Sequence, residues 1–302
     1  MRVLVTGATG FIGRALVGSL ASDGHAPAAL SRDGARAARR LPALAAAFDW
    51  DVAAERPPAE ALEGADAVVH LAGENVVGRW TAAKKARIRD SRVLGTRHLV
   101  EAIAALARRP PVLVAVSAIG VYPAGGEEPL TERSAPGEGF LAELCVRWEA
   151  EALRAEAAGV RVVLLRLGLV LAAGGGPLGA MLTPFRLGLG GPIGGGAQVW
   201  SWIHRADVVG MIRWAIARPE VAGVYNAVAP GAVPQAAFAR TLGRVLRRPA
   251  FFPAPAFAVR AALGEFSAEL LDSRRVVPER TLAAGYRFAH PELDGALRAI
   301  LG

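Results

Sequence analysis

The chain has 302 residues, a formal net charge of +8 and a hydrophobic content of 53%. This length suffices for one large α/β domain with a smaller appendage. Every apolar run is interrupted before it reaches the length of a membrane span, the N-terminal residues lack a signal-peptide pattern, and the single Cys145 excludes an intrachain disulfide framework. We therefore expect a cytoplasmic protein without a membrane partner.

The positive charge is almost entirely arginine, since Lys84 and Lys85 are the only lysines. Basic residues cluster at 36–40 and 244–248, but neither cluster is interleaved with the aromatic residues that stack on bases. Arginines spread along the whole chain fit an anionic cofactor and good solubility better than a nucleic-acid partner. We do not expect nucleic-acid binding.

The first thirteen residues have the pattern of a strand, a glycine turn and the start of a helix. Residues 2–5 are a short apolar run, and Gly7, Gly10 and Gly13 follow at intervals of three. Glycines at this spacing allow a sharp turn, close approach of a pyrophosphate to the backbone, and close packing of helix on strand. The N-terminus of the following helix directs free N–H groups and a positive dipole toward an anion. The stretch predicts a dinucleotide site.

The end of the second predicted strand, residues 26–31, indicates which dinucleotide binds. An acid at this point takes the ribose 2′-hydroxyl of NAD, whereas an arginine accepts the 2′-phosphate of NADP. Ser31 and Arg32 favour NADP because a guanidinium suits a phosphate geometrically. Asp33 is the counter-evidence, one residue beyond the usual acidic position.

Further along, residues 65–73 form a clear buried strand that ends in small residues, with Glu74 directly after them. This ending places bare backbone at the carboxyl edge of the sheet, where ligands bind in such folds. His70 precedes the edge and is predicted to be a core residue. A helical pattern over 80–106 follows and carries Lys85 and Arg92.

Strand and helix continue to alternate. A fifth strand covers 112–117, with Ser117 at its end and Tyr122 shortly after it. A helix over 140–158 then precedes a sixth strand at 160–165. This alternation predicts an α/β fold of Rossmann type, a doubly wound parallel sheet with a small, mostly helical C-terminal lobe.

The predicted domain division follows changes in composition. Residues 174–196 are glycine-rich yet too apolar for a linker, so we interpret them as a partly ordered lid over the cofactor edge. The division is a Rossmann domain at 1–171 and 200–230, a lid insertion at 172–199, and a substrate lobe at 231–302.

Several motifs resemble those of the extended and atypical short-chain dehydrogenase/reductases, the NAD-dependent epimerase/dehydratase group. These motifs are residues 5–13, Leu71-Ala72-Gly73 and Ser117. A narrower resemblance, to the subgroup labelled "epimerase family protein", rests on residues 71–75, 184–194 and 202–204 and extends over the whole chain.

The resemblance implies an NADP-binding Rossmann domain, a C-terminal domain of unknown function and an unidentified small-molecule substrate. The expected partners are that small-molecule substrate and, if the protein forms a homodimer, a second copy of the chain. No metal site is expected. The implied cofactor contacts are Gly7, Thr9, Gly10, Phe11, Ile12, Gly13, Ser31, Arg32, Leu71, Ala72, Gly73, Arg92 and Val170.

The chain departs from the superfamily at the catalytic helix. The superfamily uses a Tyr and a Lys four residues apart, but this helix offers Phe140 and Leu144, or Leu141 and Cys145. Neither pair can transfer a proton as Tyr and Lys do. The catalytic candidates that remain are Ser117, Glu74, Tyr122 and Lys85, with His204 as a further proton donor.

Two functions are therefore compatible with the sequence. One is an NADP-dependent oxidoreductase or epimerase-like enzyme with another proton donor, which the polar residues Glu74, Arg92 and Ser117 favour, since buried polar groups are costly. The other is an NADPH-binding regulatory or scaffolding protein, which the missing Tyr and Lys favour.

Overall fold

The computed structural model describes residues 1–126 and 128–302. Its strands follow the predicted apolar runs closely. They are β1 Arg2–Thr6, β2 Ala26–Ser31, β3 Ala46–Asp49, β4 Ala67–His70, β5 Val112–Ala118, β6 Arg161–Leu167, β7 Leu169–Leu171, β8 Val199–Trp200, β9 Trp202–His204, β10 Gly223–Ala227 and β11 Val233–Pro234.

Seven of these strands form one sheet in the order β10-β6-β5-β4-β1-β2-β3, and every neighbouring pair is parallel. The remaining strands form two short pairs, β7 with β9 and β8 with β11. The strand order reverses between β1 and β4, and ligands of open α/β sheets bind at such a switch point. The predicted doubly wound Rossmann fold is confirmed.

Helices cover both faces of the sheet because each βαβ crossover places a helix on one side. They are α1 Gly13–Ser22, α2 Gly34–Arg40, α3 Ala59–Leu62, α4 Ala82–Ala105, α5 Phe140–Leu153, α6 Gly176–Arg186, α7 Arg205–Ala217, α8 Gln235–Leu246, α9 Ala256–Leu263, α10 Ala268–Leu271, α11 Glu279–Ala283 and α12 Leu293–Leu301. Three short 3₁₀ helices cover Ile119–Val121, Arg154–Ala158 and Gly264–Ser267.

Two apolar cores lie on opposite faces of the sheet. On one face Leu16 of α1 and Ile212 of α7 pack with the sheet residues, and on the other Leu62 of α3 and Leu99 of α4 do so. All four side chains are fully buried. The two cores fix the strand ends, and with them the loops at the carboxyl edge.

The glycine-rich segment 172–199 is more regular than the predicted partly ordered lid, since it contains the eleven-residue helix α6. Leu178, Leu182 and Phe185 are buried in a third core. Phe238 of α8 and Leu297 of α12 complete that core, so α6 and the C-terminal residues are packed together. The separation into lid and substrate lobe stays a prediction.

Within residues 1–126 and 128–302, no helix is both long and apolar enough to cross a membrane.

Candidate functional site

The glycine turn between β1 and α1 is built so that only glycine fits. Gly7 has φ of +66°, and a Cβ atom there would lie 2.8 Å from the carbonyl oxygen of Leu71. Gly10 N–H donates to the Gly7 carbonyl oxygen at 2.9 Å, which closes the turn. Ile12 stands at the N-cap of α1 and makes no side-chain hydrogen bond to the helix. Backbone at the switch point is therefore open to an anion.

A cavity of about 510 Å³ lies beside this turn, at the end of β2. Thr9 of the turn forms one side of it, and the first turns of α2 form the other. The set of hydroxyl and guanidinium donors suits a phosphate. Its lining residues are Thr9, Ser31, Arg32, Asp33, Arg36, Ala37 and Arg40.

Asp33 lines this cavity and also caps the helix beside it. It is the N-cap of α2, and its Oδ1 accepts from the backbone N–H of Arg36 at 2.7 Å. The next strand supplies a second carboxylate to the same helix end, since Gly34 N–H donates to Asp49 Oδ1 at 2.6 Å. Asp33 thus has a structural role as a helix cap, beside the arginines that line the cavity.

Phe11 connects the turn to the predicted lid. A Cβ atom at Gly175 or Gly176 would lie within about 3 Å of the Phe11 ring (3.0 and 2.9 Å), so the start of α6 rests on that ring. The guanidinium of Arg205 lies 5.0 Å from the centre of the ring. Val170 of β7 is buried in the same region. The start of the predicted lid therefore packs against the glycine turn.

On the other side of the switch point, Arg92 of α4 lies against the small residues that end β4. A Cβ atom at Gly73 would be 3.0 Å from the guanidinium carbon of Arg92. The guanidinium donates to the carbonyl oxygen of Glu74 at 2.9 Å and lies 5.1 Å from the centre of the Trp148 ring. Burial lowers the pKa of Arg92 to about 10, so it is a cation at neutral pH.

Two buried polar atoms near this point lack hydrogen-bond partners among the described residues, Ser117 Oγ and Trp148 Nε1. The thiol of Cys145 is adjacent to Ser117, but a thiol is a weak donor, and burial raises its pKa to about 12. A buried polar atom without a partner costs on the order of 1–3 kcal/mol.

Glu74 and Lys85, two of the predicted catalytic residues, are engaged in ion pairs. Lys84 Nζ binds Glu74 Oε1 at 2.9 Å, and this hydrogen bond is the main reason that the pKa of Glu74 is lowered. Lys85 Nζ binds Glu265 Oε1 at 2.7 Å and lies 5.1 Å from the centre of the Phe140 ring. Glu74 is thus held ionised and is a poor proton donor.

Tyr122 does not reach the open edge of the sheet, contrary to the role considered for it. Its side chain is 1% exposed, and its hydroxyl donates to Asn226 Oδ1 at 2.7 Å. The same hydroxyl accepts from Arg166 Nη1 at 2.8 Å. Burial raises its pKa. We therefore drop Tyr122 as a proton donor.

The two histidines singled out from the sequence are structural. His70 is fully buried between the hydroxyls of Thr6 and Thr96, as predicted for a core residue, and burial lowers its pKa to about 4. His204 caps α7 by accepting from the N–H of Ala206, and its ring lies 3.9 Å from that of His290. Burial and the neighbouring His290 lower the pKa of His204 to about 4, so at neutral pH it is a neutral imidazole and not an imidazolium acid.

The sequence analysis did not identify several residues that line the site at the carboxyl edge of the sheet. Arg36 and Arg40 were counted only as a basic cluster, although their spacing of four within α2 places them on one side of the helix, where both line the cavity with Arg32. Arg205 and Trp148 gave no local signal. Each of them reaches the site through a contact with a residue distant in the chain, Arg205 with Phe11 and Trp148 with Arg92.

The chain is similar to known proteins over its whole length. The model of the NAD dependent epimerase/dehydratase family matches residues 3–228, and that of a domain of unknown function, DUF1731, matches residues 254–300. The epimerase family protein SDR39U1 of Homo sapiens is 40% identical over 306 residues and YfhF of Bacillus subtilis 35% identical over 302, with all of this chain covered and 100% and 98% of the relatives.

Among solved structures, human SDR39U1 (isoform 2) with NADPH has a TM-score of 0.90 and 40% identity, covering 100% of this chain and 99% of that chain. A nucleoside-diphosphate sugar epimerase from Corynebacterium glutamicum has a TM-score of 0.80 and 33% identity, covering 100% of this chain and 58% of that chain. The chain therefore belongs to the NAD dependent epimerase/dehydratase family.

Proposed function

We propose that this protein binds NADP(H) at the switch point and is an oxidoreductase or epimerase-like enzyme for an unidentified small-molecule substrate. The arginine-lined cavity beside the glycine turn is the observation that supports the cofactor. Arg32 and Arg36 would hold the 2′-phosphate, and the open backbone of Gly7–Gly13 would hold the pyrophosphate. The NADPH in the structure of human SDR39U1 supports the same assignment.

When bound, NADPH supplies a hydride. The protein's own contribution includes two buried polar atoms without hydrogen-bond partners in the described part of the chain, Ser117 Oγ and Trp148 Nε1. Arg92 adds a fixed cation to the same region. Such groups bind and orient a polar substrate and exclude water from it. They support an enzyme rather than a cofactor-binding scaffold.

We predict that NADPH binds more tightly than NADH and that Arg32→Ala removes the preference. A charge-assisted phosphate contact contributes on the order of 2 kcal/mol, so the variant should bind NADPH at least about tenfold more weakly and NADH nearly unchanged. Calorimetric titration of both nucleotides measures this. Arg39→Ala is the matched control, because Arg39 is exposed on α2 and does not line the cavity. Equal affinity of the wild type for both nucleotides would contradict the assignment.

We further predict that one class among ketones, aldehydes and nucleotide sugars oxidises bound NADPH in single turnover, and that Ser117→Ala slows that reaction about 100-fold. Ser22→Ala, at the exposed end of α1, should react like the wild type. The alternative function, an NADPH-binding regulatory protein, is favoured by the absence of Tyr and Lys at Phe140, Leu141, Leu144 and Cys145. NADPH binding without oxidation by any class would support that alternative.

A further inference from the structure

Among the residues that the structure describes, Tyr122 and Glu74 are not suited to donate the proton of the proposed reaction. Carbonyl reduction requires a proton for the oxygen, and a positioned acid typically contributes 10²–10⁴-fold. Tyr122 is hydrogen-bonded in the core, and Glu74 is held ionised by Lys84. Phe140 and Leu141 begin the helix where the superfamily resemblance places the acid. An acid from another element near this edge would supply that proton.

The C-terminal segment brings one. Glu269 of α10 lies against the 3₁₀ turn at 119–121, which directly follows Ser117 and the end of β5. Its Oε2 is 3.6 Å from the position that a Cβ atom would take at Gly120. The Leu141 side chain lies 2.4 Å from that same position, so Glu269, Gly120 and Leu141 converge.

The structure assigns to Glu269 the role of proton donor to the substrate, a proposal that rests on the proposed oxidoreductase function. The carbonyl carbon gains the hydride of NADPH, and the carbonyl oxygen gains the carboxyl proton of Glu269. The C=O bond becomes C–OH, NADPH becomes NADP⁺, and Glu269 becomes a carboxylate that solvent reprotonates. In the reverse direction the carboxylate accepts the hydroxyl proton.

The surroundings of Glu269 suit this role. Its side chain is 21% exposed, enough for a substrate atom to reach it. Its partner is Arg274, whose Nη1 lies 3.4 Å from Oε2, a long contact for an ion pair. Gly120 and Leu141, which face it from the 3₁₀ turn and α5, carry no charge.

Burial raises the pKa of Glu269, and the charge of Asp272 raises it further, while Arg274 opposes both. A carboxyl with a raised pKa holds its proton closer to neutral pH than an exposed glutamate, whose pKa is about 4.3. Acids of this kind are the ones that donate protons in catalysis. The contrast with Glu74, whose pKa is lowered, distinguishes the two carboxyls.

Infrared difference spectra of wild type and Glu269→Gln over a pH series test the protonation without substrate or cofactor. We expect the C=O stretch of the Glu269 carboxylic acid to persist above the pH at which an exposed glutamate ionises. Asp272→Asn should lower its midpoint, because it removes a negative charge. A Glu269 that ionises like an exposed glutamate would overturn the proposal.

Single-turnover oxidation of NADPH by the reactive carbonyl class tests the step. We expect the wild-type rate to decline with rising pH as Glu269 loses its proton. Glu269→Gln should slow the reaction about 100-fold or more, show no such decline, and leave the affinity for NADPH unchanged. Glu269→Asp should restore part of the rate. Glu279→Gln, an exposed carboxyl in α11, is the matched control.

The outcomes separate the two claims. Wild-type rates retained in Glu269→Gln would overturn the role of Glu269 and leave the proposed function intact. A wild type that binds NADPH but reduces no carbonyl class would overturn the enzyme function, and the proton donor with it.

Discussion

Glu149→Ala is expected to lower the free energy of unfolding by about 3–5 kcal/mol, as the loss of one partner of a buried ion pair does. Arg166 and Glu149 are 8% and 6% exposed. They form a two-point pair, with Nε to Oε1 at 2.9 Å and Nη2 to Oε2 at 2.7 Å. Removing the carboxylate would leave an uncompensated guanidinium in the interior.

The pair lies at the centre of a network that joins the sheet to the C-terminal segment. Arg166 of β6 donates to Tyr122, whose hydroxyl donates to Asn226 of β10. Asn226 in turn donates through Nδ2 to the carbonyl oxygen of Val277 at 3.0 Å. Burial lowers the pKa of Arg166, but the hydrogen bonds and charge of Glu149 outweigh burial and raise it overall. Arg166 therefore stays charged at neutral pH.

Denaturant unfolding measures this effect. Glu101→Ala is the control, since Glu101 pairs with the exposed Arg56 and such pairs contribute under about 1 kcal/mol. A double variant, Glu149→Met with Arg166→Met, should recover part of the loss because no charge is then buried without a partner. A loss in Glu149→Ala no larger than in Glu101→Ala would refute the interpretation.

The sheet and the glycine turn were predictable from sequence because their signals are local. Apolar runs of four to seven residues set the strands, and three glycines at a spacing of three mark the turn at Gly7–Gly13. The helix α6 also had a local signal. Leu178, Leu182 and Phe185 are spaced at four and three residues, the period of one helix face, but the density of glycine outweighed it.

The polar contacts of the site were not predictable in this way. The sequence offered Tyr122 as a proton donor because it follows Ser117 closely. Its hydroxyl instead accepts from Arg166 and donates to Asn226, which lie 44 and 104 residues away. Glu269 gave no signal at all, since its neighbour Gly120 lies in a turn nearly half the chain earlier. Which carboxyl is ionised depends on these distant partners, and composition and spacing do not contain them.

Gly13→Ala is expected to destabilise the protein by about 3 kcal/mol and to weaken NADPH binding at least about tenfold. A Cβ atom at position 13 would lie 2.3 Å from the carbonyl oxygen of Gly7 and 2.7 Å from Cα of Ala8. Both are backbone atoms of the turn itself. They cannot yield as a flexible side chain does, so relief requires α1 to move away from β1, and the turn opens.

The same substitution elsewhere in α1 provides the matched control for denaturant unfolding and calorimetric titration of NADPH. A Cβ atom at Gly18 would meet nothing within 4 Å, and Gly18 lies in the helix interior. Gly18→Ala should therefore stabilise the protein by up to about 1 kcal/mol, through helix propensity, and leave NADPH affinity unchanged. If Gly13→Ala matched Gly18→Ala in both measurements, contact between helix and turn would not be what shapes the anion site. If Gly13→Ala lost stability but kept its NADPH affinity, the pyrophosphate would have to be held by groups other than the Gly7–Gly13 backbone.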